Sequence, residues 1–216
     1  MALIYLLRHA HSVANGAGLL AGRAVGNPLS SIGEQQSRAI ARALRDEKFA
    51  AIYISPLQRC RQTVAPYLEQ ERRRATKNMN FVEMDYGDWT GRSLADLRRE
   101  SLWREIQRNP SSVKFPHGES FVGAERRIRR GLAEIETRHH GKKVLVVTHG
   151  DIIKIAIQSA LGSELDKFQR IVIDPASLSI IDYKTRRVLQ VNTALAKRRT
   201  KRSLSDRSAL GGGSNV

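Results

Sequence analysis

The sequence predicts an α/β fold with three layers, in which helices cover both faces of a mostly parallel central sheet. Two short, continuously apolar runs, at 3–7 and 144–147, are typical of strands that are buried on both faces. Segments with a helical spacing of apolar residues alternate with strands along the chain, which is the pattern of a parallel sheet. In a chain of 216 residues we expect one such domain, over 1–195.

The first half of the chain contains two predicted pairs of strand and helix. A helix opens after the turn NPLS, where Ser31 and Glu34 have the spacing of a capping box. The second strand, AAIYIS, leads into a helix in which Pro66 predicts a kink or a break. The stretch FVEMDYGDWTGRS is predicted as a loop because of its glycines, and the next helix begins near Ser93.

The second half is predicted to begin with a long helix and to end in strands. This helix runs from about Ser120 to Arg138 and is followed by the strand KKVLVVTH. A further helix starts near Gly150 and stops at Gly162, so that strand and helix form one βα unit. The remaining predicted strands are RIVID, SLSIIDY and RVLQVN.

The chain is strongly basic, with a formal net charge of +16 and a pI of about 10.7. Such a charge favours contact with polyanions or with anionic substrates. The tail 196–216 combines basic residues with an end rich in Gly and Ser. This composition predicts a disordered segment that solubilises the chain or makes weak contact with a polyanion.

The number of cysteines and the hydropathy of the chain predict its cellular location. Cys60 is the only cysteine, which excludes an intrachain disulfide and a thiolate metal cage. The apolar start MALIYLL meets Arg8 too early for a signal peptide, and no other run approaches the roughly 20 apolar residues of a membrane span. We therefore expect a cytoplasmic protein without membrane insertion.

Basic side chains follow the carboxyl ends of three predicted strands. They are Arg8 and His9 after the first strand, Arg59 beyond the second, and His149 after the strand at 144–147. Ligands of parallel sheets bind at this edge, so these groups are expected to converge. Their mutual repulsion favours a bound anion, and phosphate fits both the arginine forks and the amides of a helix that starts near Gly150.

A phosphate site of this kind also needs a nucleophile and an acid. A neutral imidazole can attack phosphorus when its other ring nitrogen donates to a fixed acceptor. Glu83 is a candidate for the acid, because an apolar setting beside Phe81 and Met84 and a nearby dianion both raise the pKa of a carboxyl group. Asp85 and Asp88 are competing carboxylates that spacing alone does not exclude.

Two other classes of protein account for part of the pattern. His9 and His11 alternate as the ligands of a zinc or binuclear hydrolase do, but Arg8 beside them is unfavourable for a bound cation. The charge also suits a nucleic-acid-binding protein on an inactive enzyme fold. Against that class, the aromatic residues, 2 Trp, 5 Tyr and 5 Phe, are scattered rather than interleaved with basic residues.

The motifs resemble those of the histidine phosphatase superfamily, the phosphoglycerate mutase-like proteins. RHAHSVAN resembles the opening motif, with Ser12 and Asn15 in the places of its hydroxyl and Asn residues. SPLQRCRQT, VEMDYGDWTG, PHGES and VTHGD are similar to the later motifs, in the same order over about 3–183. Stretches such as LAGR and FQRIVIDPAS make the chain most similar to an actinobacterial branch of phosphomutases and phosphatases.

The resemblance implies a role for each site residue. It implies that His9 becomes the phosphohistidine and that Glu83 is the proton donor. The groups that would hold the transferred phosphoryl group are Arg8, Arg59 and His149. Substrate or phosphate binding is expected from Ser12, Asn15, Gly22, Arg23 and Gly150. Positioning and charge neutralisation by such groups need no metal, and we expect no cofactor.

The acid loop favours hydrolysis over mutase chemistry. The mutases that the chain resembles carry an insertion here, with basic groups for a second phosphate, whereas Glu83 is followed directly by the stretch MDYGDWTG. We therefore expect a phosphomonoester hydrolase in which water attacks phosphorylated His9 and Glu83 acts as the base. Mutase-type phosphoryl transfer is the alternative. The expected partner is a phosphorylated small molecule, bound by a monomer or a homodimer.

One position departs from the family pattern, because Ala10 replaces the usual Gly after the histidine. A backbone conformation that only glycine adopts easily would be costly for alanine. The geometry of the loop after His9 therefore decides whether the motif is intact. His11 is interpreted as an exposed or hydrogen-bonded bystander rather than as part of the chemistry.

Overall fold

Six strands form one sheet in the computed structural model, which describes residues 1–195. The strands are β1 (Leu3–Arg8), β2 (Ala51–Ile54), β3 (Thr76–Lys77), β4 (Lys143–Thr148), β5 (Ser177–Asp182) and β6 (Arg187–Ala194), and their order in the sheet is β3-β2-β4-β1-β5-β6. The pairs β3 with β2, β2 with β4 and β4 with β1 are parallel, whereas β5 runs antiparallel to both β1 and β6. The mostly parallel sheet is thus confirmed. The predicted basic tail, 196–216, lies outside the described residues.

Helices cover both faces of the sheet. They are α1 (Val13–Gly16), α2 (Ser31–Ala43), α3 (Gln58–Gln70), α4 (Leu94–Leu97), α5 (Ser101–Arg108), α6 (Phe121–Arg138) and α7 (Gly150–Leu161), with 3₁₀ turns at Met79–Phe81, Gly87–Trp89, Pro110–Ser112 and Leu165–Arg170. Leu7 of β1 packs in one core with Ile40 of α2 and Val64 of α3. Leu6, its neighbour, points to the opposite core and packs there with residues such as Ile128 of α6. This alternation explains the continuous apolar runs, because both faces of each strand are buried. Of the helices within 1–195, none combines the length and the apolar character that crossing a membrane requires.

Strand register brings the predicted basic residues to one edge of the sheet. Arg8 at the end of β1 lies opposite Thr148 at the end of β4, and Ile54 at the end of β2 lies opposite Val147. The three parallel strands therefore finish at the same level. The residues that follow them leave the sheet side by side, as expected for a binding edge.

The start of α2 differs from the prediction by one residue. Ser30, rather than Ser31, is the N-cap, and its hydroxyl accepts a hydrogen bond from the Gly33 amide at 3.2 Å. Two consecutive serines offer the same capping group, so spacing alone does not decide between them.

Pro66 lies inside α3, which continues to Gln70 without a break. Proline has no N–H, so it leaves the carbonyl four residues earlier, that of Gln62, without its helical partner. The Ser37 hydroxyl of α2 lies 2.9 Å from this carbonyl and donates to it. A side chain of the neighbouring helix thus satisfies the backbone group that the proline orphans.

The predicted strand RIVID is wrong. Residues Leu165–Arg170 form a 3₁₀ helix, and 171–174 have no regular structure. The carbonyl of Ile173 instead accepts a hydrogen bond from the Arg8 guanidinium. This segment therefore supports a charged side chain of the site rather than adding a strand to the sheet.

Candidate active site

A small pocket lies at the carboxyl edge of the parallel strands. The empty space at this site, open solvent included, is about 250 Å³, and its walls are His9, Ser12, Asn15, Leu19, Leu20, Ala21, Gly22, Arg59, Glu83 and Tyr86. Most of the polar groups in the walls come from residues that the sequence singles out.

His9 follows β1 and presents one ring nitrogen to the site. Its Nδ1 lies 2.8 Å from the carbonyl oxygen of Ala10, and a carbonyl can only accept, so Nδ1 carries the proton. Nε2 therefore keeps its lone pair, and the Arg59 Nε–H donates to it at 3.2 Å. Burial, and then the charges of Arg59 and Arg8, lower the pKa of His9 well below its usual value. The ring is neutral at neutral pH, as a nucleophile must be.

Arg59 connects three parts of the site. It lies in the first turn of α3, with almost no exposed surface. Besides the bond to His9, its Nη2 donates to the carbonyl of Gly22 at 2.8 Å and to Nδ1 of His149 at 3.1 Å. Gly22 has a φ of +50° and lies so close to Thr90 that an added Cβ would come within 2.8 Å of its hydroxyl oxygen. Glycine is therefore required where the backbone turns towards the guanidinium.

His149 lies behind the pocket wall, fully buried at the N-cap of α7. Since its Nδ1 accepts from Arg59, its Nε2 carries the proton and donates to the Ser55 hydroxyl oxygen at 2.7 Å. The centroids of the two imidazole rings, of His9 and His149, are 5.2 Å apart. Burial and the neighbouring cations lower the pKa of His149 well below its usual value, so it too is neutral.

Arg8 is fully buried beneath the pocket rather than in its wall. Its Nη1 donates to the Ile173 carbonyl, and an added Cβ on Gly150 would lie 3.2 Å from its Cζ. The guanidinium therefore packs directly on the backbone at the start of α7, and a side chain at this position would crowd it. Its charge still acts on the site, because it contributes to the lowered pKa values of His9 and His149.

Glu83 is the buried carboxylic acid of the pocket, with 3% of its surface exposed. Its Oε1 accepts from the Met84 amide at 3.0 Å, and its Oε2 lies 3.7 Å from Nδ1 of His149. Burial, and then the charge of Asp151, raise the pKa of Glu83 to about 7, against the opposing effect of Arg59. Such a group can hold and release a proton near neutral pH. Of the competing carboxylates, Asp85 pairs with Arg23 and Asp88 with His117, outside the pocket walls.

A side-chain clamp holds the backbone of the acid loop. The Glu83 carbonyl accepts from Arg23 Nε at 2.9 Å and from Arg127 Nη2 at 3.2 Å. Glu119 binds both guanidiniums, at 3.0 Å and 2.7 Å, and also accepts from the Asp85 amide. Arg23 thus faces the acid loop rather than the pocket, and its predicted contact with substrate stays a prediction.

Ser12 and Asn15 form a capping box at the start of α1. The Ser12 hydroxyl and amide donate to Asn15 Oδ1 at 2.9 Å and 3.0 Å. This arrangement fixes the orientation of the amide, so that Nδ2 is the atom that remains to donate. Both residues line the pocket beside His9.

Ala10 fits the His9 loop without strain. It is not among the described residues with a positive φ, its methyl group is buried in the core beneath α2, and its amide donates to the Thr63 hydroxyl at 2.8 Å. Glycine is therefore not needed after this histidine. His11 points away from the pocket and pairs through Nδ1 with the Ser30 hydroxyl at 2.8 Å, as a bystander does.

Of the predicted residues, the structure brings His9, Ser12, Asn15, Gly22, Arg59 and Glu83 into the pocket wall, and places Arg8, Arg23, His149 and Gly150 around it. Sequence reasoning missed Tyr86 and Asp151, whose side chains are joined by a 2.8 Å hydrogen bond from the phenol to the carboxylate. Both lie in motifs already noted, beside Glu83 and His149. In the part of the chain that is described, no group of three or more His, Cys, Asp or Glu side chains is arranged to hold a metal ion.

Comparison with known proteins identifies the class. Residues 4–194 match the histidine phosphatase superfamily (branch 1), so the chain belongs to this superfamily of enzymes. Phosphoserine phosphatase 1 of Hydrogenobacter thermophilus is 31% identical over 196 residues, which cover 89% of this chain and 92% of that protein. The bifunctional protein Rv2228c of Mycobacterium tuberculosis is 34% identical over 184 residues, 83% of this chain but 50% of its own length. The structure of Bacillus stearothermophilus YhfR shares the fold, with a TM-score of 0.82 at 24% identity over 90% of this chain and 98% of that chain.

Proposed function

We propose that the protein hydrolyses small phosphomonoesters through a phosphohistidine formed on Nε2 of His9. The observation that carries the proposal is the state of this ring: Nδ1–H is held by the Ala10 carbonyl, and the lone pair of Nε2 faces a guanidinium in the pocket. A phosphate that replaces the hydrogen bond between them would place phosphorus against the nucleophile while the arginine neutralises its oxygens.

In the first step, the lone pair of His9 Nε2 forms the bond to phosphorus, and the bond between phosphorus and the alcohol oxygen breaks. The leaving oxygen takes the proton of the Glu83 carboxyl, which becomes a carboxylate. Arg59 and the Nδ2 amide of Asn15 donate to the phosphoryl oxygens, and Arg8 adds positive charge from below. Electrostatic stabilisation of this kind is the main contribution that a protein makes to phosphoryl transfer.

In the second step, water attacks phosphorus and gives its proton to the Glu83 carboxylate. The bond between phosphorus and Nε2 breaks, its electron pair returns to nitrogen, and inorganic phosphate leaves. Glu83 is then protonated again and His9 neutral, so the site has regained its starting state. A carboxyl group with a pKa of about 7 can serve as the acid in one step and as the base in the other.

The pocket supports hydrolysis rather than mutase transfer. Beyond the phosphate side its walls are Leu19, Leu20, Ala21 and the ring of Tyr86, and within 1–195 the only Lys or Arg in the walls is Arg59. A mutase has to hold a second phosphate group, and Arg23, which follows the wall residue Gly22, is bound to Asp85 and Glu119. The similarity to a phosphoserine phosphatase supports phosphoserine as the first substrate to assay.

We also propose the branch of the superfamily to which the protein belongs. The 34% identity to a mycobacterial protein supports the actinobacterial branch. A cytoplasmic location, a monomer or homodimer, and polyanion contact through the tail stay predictions from the sequence.

A panel of phosphomonoesters that includes phosphoserine, β-glycerol phosphate and p-nitrophenyl phosphate tests the proposal. His9→Ala should lose turnover of every active substrate, by about 10,000-fold or more, as expected for removal of a nucleophile. The matched control is His11→Ala, two residues away but outside the pocket, which should retain activity. Turnover that persists in His9→Ala would overturn the proposed mechanism.

A further inference from the structure

A column of buried polar side chains runs from the pocket wall into α7. Tyr86 lines the pocket, and its hydroxyl donates to Oδ2 of Asp151 at 2.8 Å. Oδ1 of Asp151 lies 3.3 Å from Nζ of Lys154, one helical turn further on. Lys154 in turn donates to Oε1 of Gln169 at 3.1 Å. Tyr86, Asp151 and Lys154 have no exposed surface.

Packing alone does not account for this ion pair. Moving two charges out of water costs several kcal/mol for each ion, and apolar residues of similar volume often stabilise a core as well or better. An acidic residue in the first turn of α7 does interact favourably with the helix dipole, but a fully buried lysine one turn later gains nothing from it. The position of the pair, one hydrogen bond from the pocket wall, indicates a role in the site.

We infer that Asp151 is a positioning residue for the proton donor, because its buried negative charge favours the protonated form of Glu83 and its hydrogen bond fixes Tyr86 in the pocket wall. Lys154 is its counter-ion and makes a charged Asp151 tolerable in the core. The inference rests on the proposed role of Glu83 as the acid.

The groups around Glu83 show why a negative charge is needed there. Residues at the end of β1, in α3 and at the start of α7 face the Glu83 carboxyl group: Arg8, His9, Arg59, His149 and Asp151. Tyr86 lies on the acid loop itself. The Glu83 carbonyl binds Arg23 and Arg127. Both imidazoles are neutral, so the nearby full charges are mostly positive. Arg59 and Arg8 lower the pKa of Glu83, and Asp151 is the neighbouring charge that raises it. Without Asp151, burial alone would oppose the arginines, so Glu83 would lose its proton at a lower pH and be a carboxylate, with no proton to give, over more of the neutral range.

Tyr86 is not itself the proton donor. Burial, and then the charge of Asp151, raise the pKa of the Tyr86 phenol well above its usual value, so it keeps its proton. Tyr86→Phe therefore removes the hydrogen bond while leaving the aromatic wall and the Asp151 charge in place. This variant separates the effect of the charge from that of the contact.

The test is the pH dependence of kcat/KM for β-glycerol phosphate, with the full-length protein. This substrate leaves as a basic alkoxide and needs the acid, and kcat/KM reports the free enzyme. In wild type, activity should fall as pH rises above about 7, the pKa of Glu83. The double variant Asp151→Asn with Lys154→Met removes one negative and one positive charge, so the net charge is unchanged. In this variant the fall of kcat/KM at high pH, the alkaline limb, should move to lower pH by about one unit, as expected when one neighbouring charge is removed. Tyr86→Phe should leave the limb in place.

A limb that stays at the wild-type pH in the double variant would overturn the inference, since a purely structural pair would change stability without moving it. If that variant does not fold, Asp151→Asn with Lys154→Gln makes the same test. Glu83→Gln separates the two proposals, because it should remove the limb altogether. A limb that persists in Glu83→Gln contradicts the proposed acid, whereas a limb lost there but unmoved in the double variant contradicts this inference alone.

Discussion

The two sides of the pocket are built by different means. On the phosphate side, His9 follows β1, His149 follows β4 and Arg59 opens α3, so the parallel register of the sheet delivers them to one edge. On the acid side, Glu83 lies on a loop without a long strand or helix of its own, and Arg23 and Arg127 hold its carbonyl. Backbone hydrogen bonds thus fix the anion site, whereas side-chain ion pairs fix the proton donor. We expect substitutions in the anion site to abolish phosphoryl transfer for every substrate. Substitutions around the proton donor should lower the rate most for substrates whose leaving group needs a proton.

Loss of the acid should show the difference most clearly. Glu83→Gln keeps the shape of the side chain but cannot transfer its proton, so kcat/KM for β-glycerol phosphate should fall by about 100- to 10,000-fold. p-Nitrophenyl phosphate should lose far less in the phosphorylation step, because nitrophenolate leaves without protonation. Single-turnover kinetics with both esters measure this step, and equal losses would contradict Glu83 as the acid.

Arg59→Lys tests the phosphate side. It should lower kcat/KM by as much as Glu83→Gln or less, and the loss should not depend on the leaving group. Lysine keeps the charge but cannot bind His9, Gly22 and His149 together as the guanidinium does. We expect kcat/KM to fall by about 100- to 1,000-fold for both esters, the usual cost of one transition-state donor. Arg61→Lys, an exposed position on the same helix, is the control and should behave as wild type.

The clamp should have a smaller effect, confined to the acid side. Glu119→Ala removes the carboxylate that binds Arg23 and Arg127, so the acid loop loses its anchor. Hydrogen bonds to charged groups contribute about 1.5–3 kcal/mol each, and we expect the free energy of unfolding to fall by about 2 kcal/mol. The loss of kcat should be about tenfold for β-glycerol phosphate and less for the nitrophenyl ester. The control for the loss of a surface carboxylate is Glu69→Ala, at an exposed position on α3. Equal losses of kcat for the two esters in Glu119→Ala would mean that the clamp does not act through Glu83.

The scaffold of the phosphate side should give the smallest effect. Ser37→Ala removes the hydroxyl whose single proton is shared between the Gln62 and Thr63 carbonyls of α3, each 2.9 Å from its oxygen. One lost buried hydrogen bond costs about 1 kcal/mol, so thermal unfolding should shift downward slightly while kcat/KM is unchanged. A large loss of activity in this variant would mean that the contact between α2 and α3 positions the Arg59 side chain.

The same contrast explains what the sequence could predict. The convergence of Arg8, His9, Arg59 and His149 follows from apolar strands and a parallel sheet, both of which are local patterns with a known register rule. The clamp could not be predicted, because it joins Arg23, Glu83 and Glu119 from distant parts of the chain through rotamers that no local pattern specifies. The predicted strand RIVID is wrong for a related reason, since the carbonyl of Ile173 serves Arg8 rather than a neighbouring strand.

The most direct test of the account is to locate the phosphate on the enzyme during turnover. The protein is mixed with a substrate that it turns over, quenched rapidly in alkali, where phosphohistidine survives, and examined by tandem mass spectrometry and ³¹P NMR. The Ala10 carbonyl occupies Nδ1, so the account predicts one phosphohistidine, on His9 and at Nε2. Phosphate on another residue, or on Nδ1 of His9, or turnover without any phosphorylated enzyme under conditions that trap it, would contradict the mechanism.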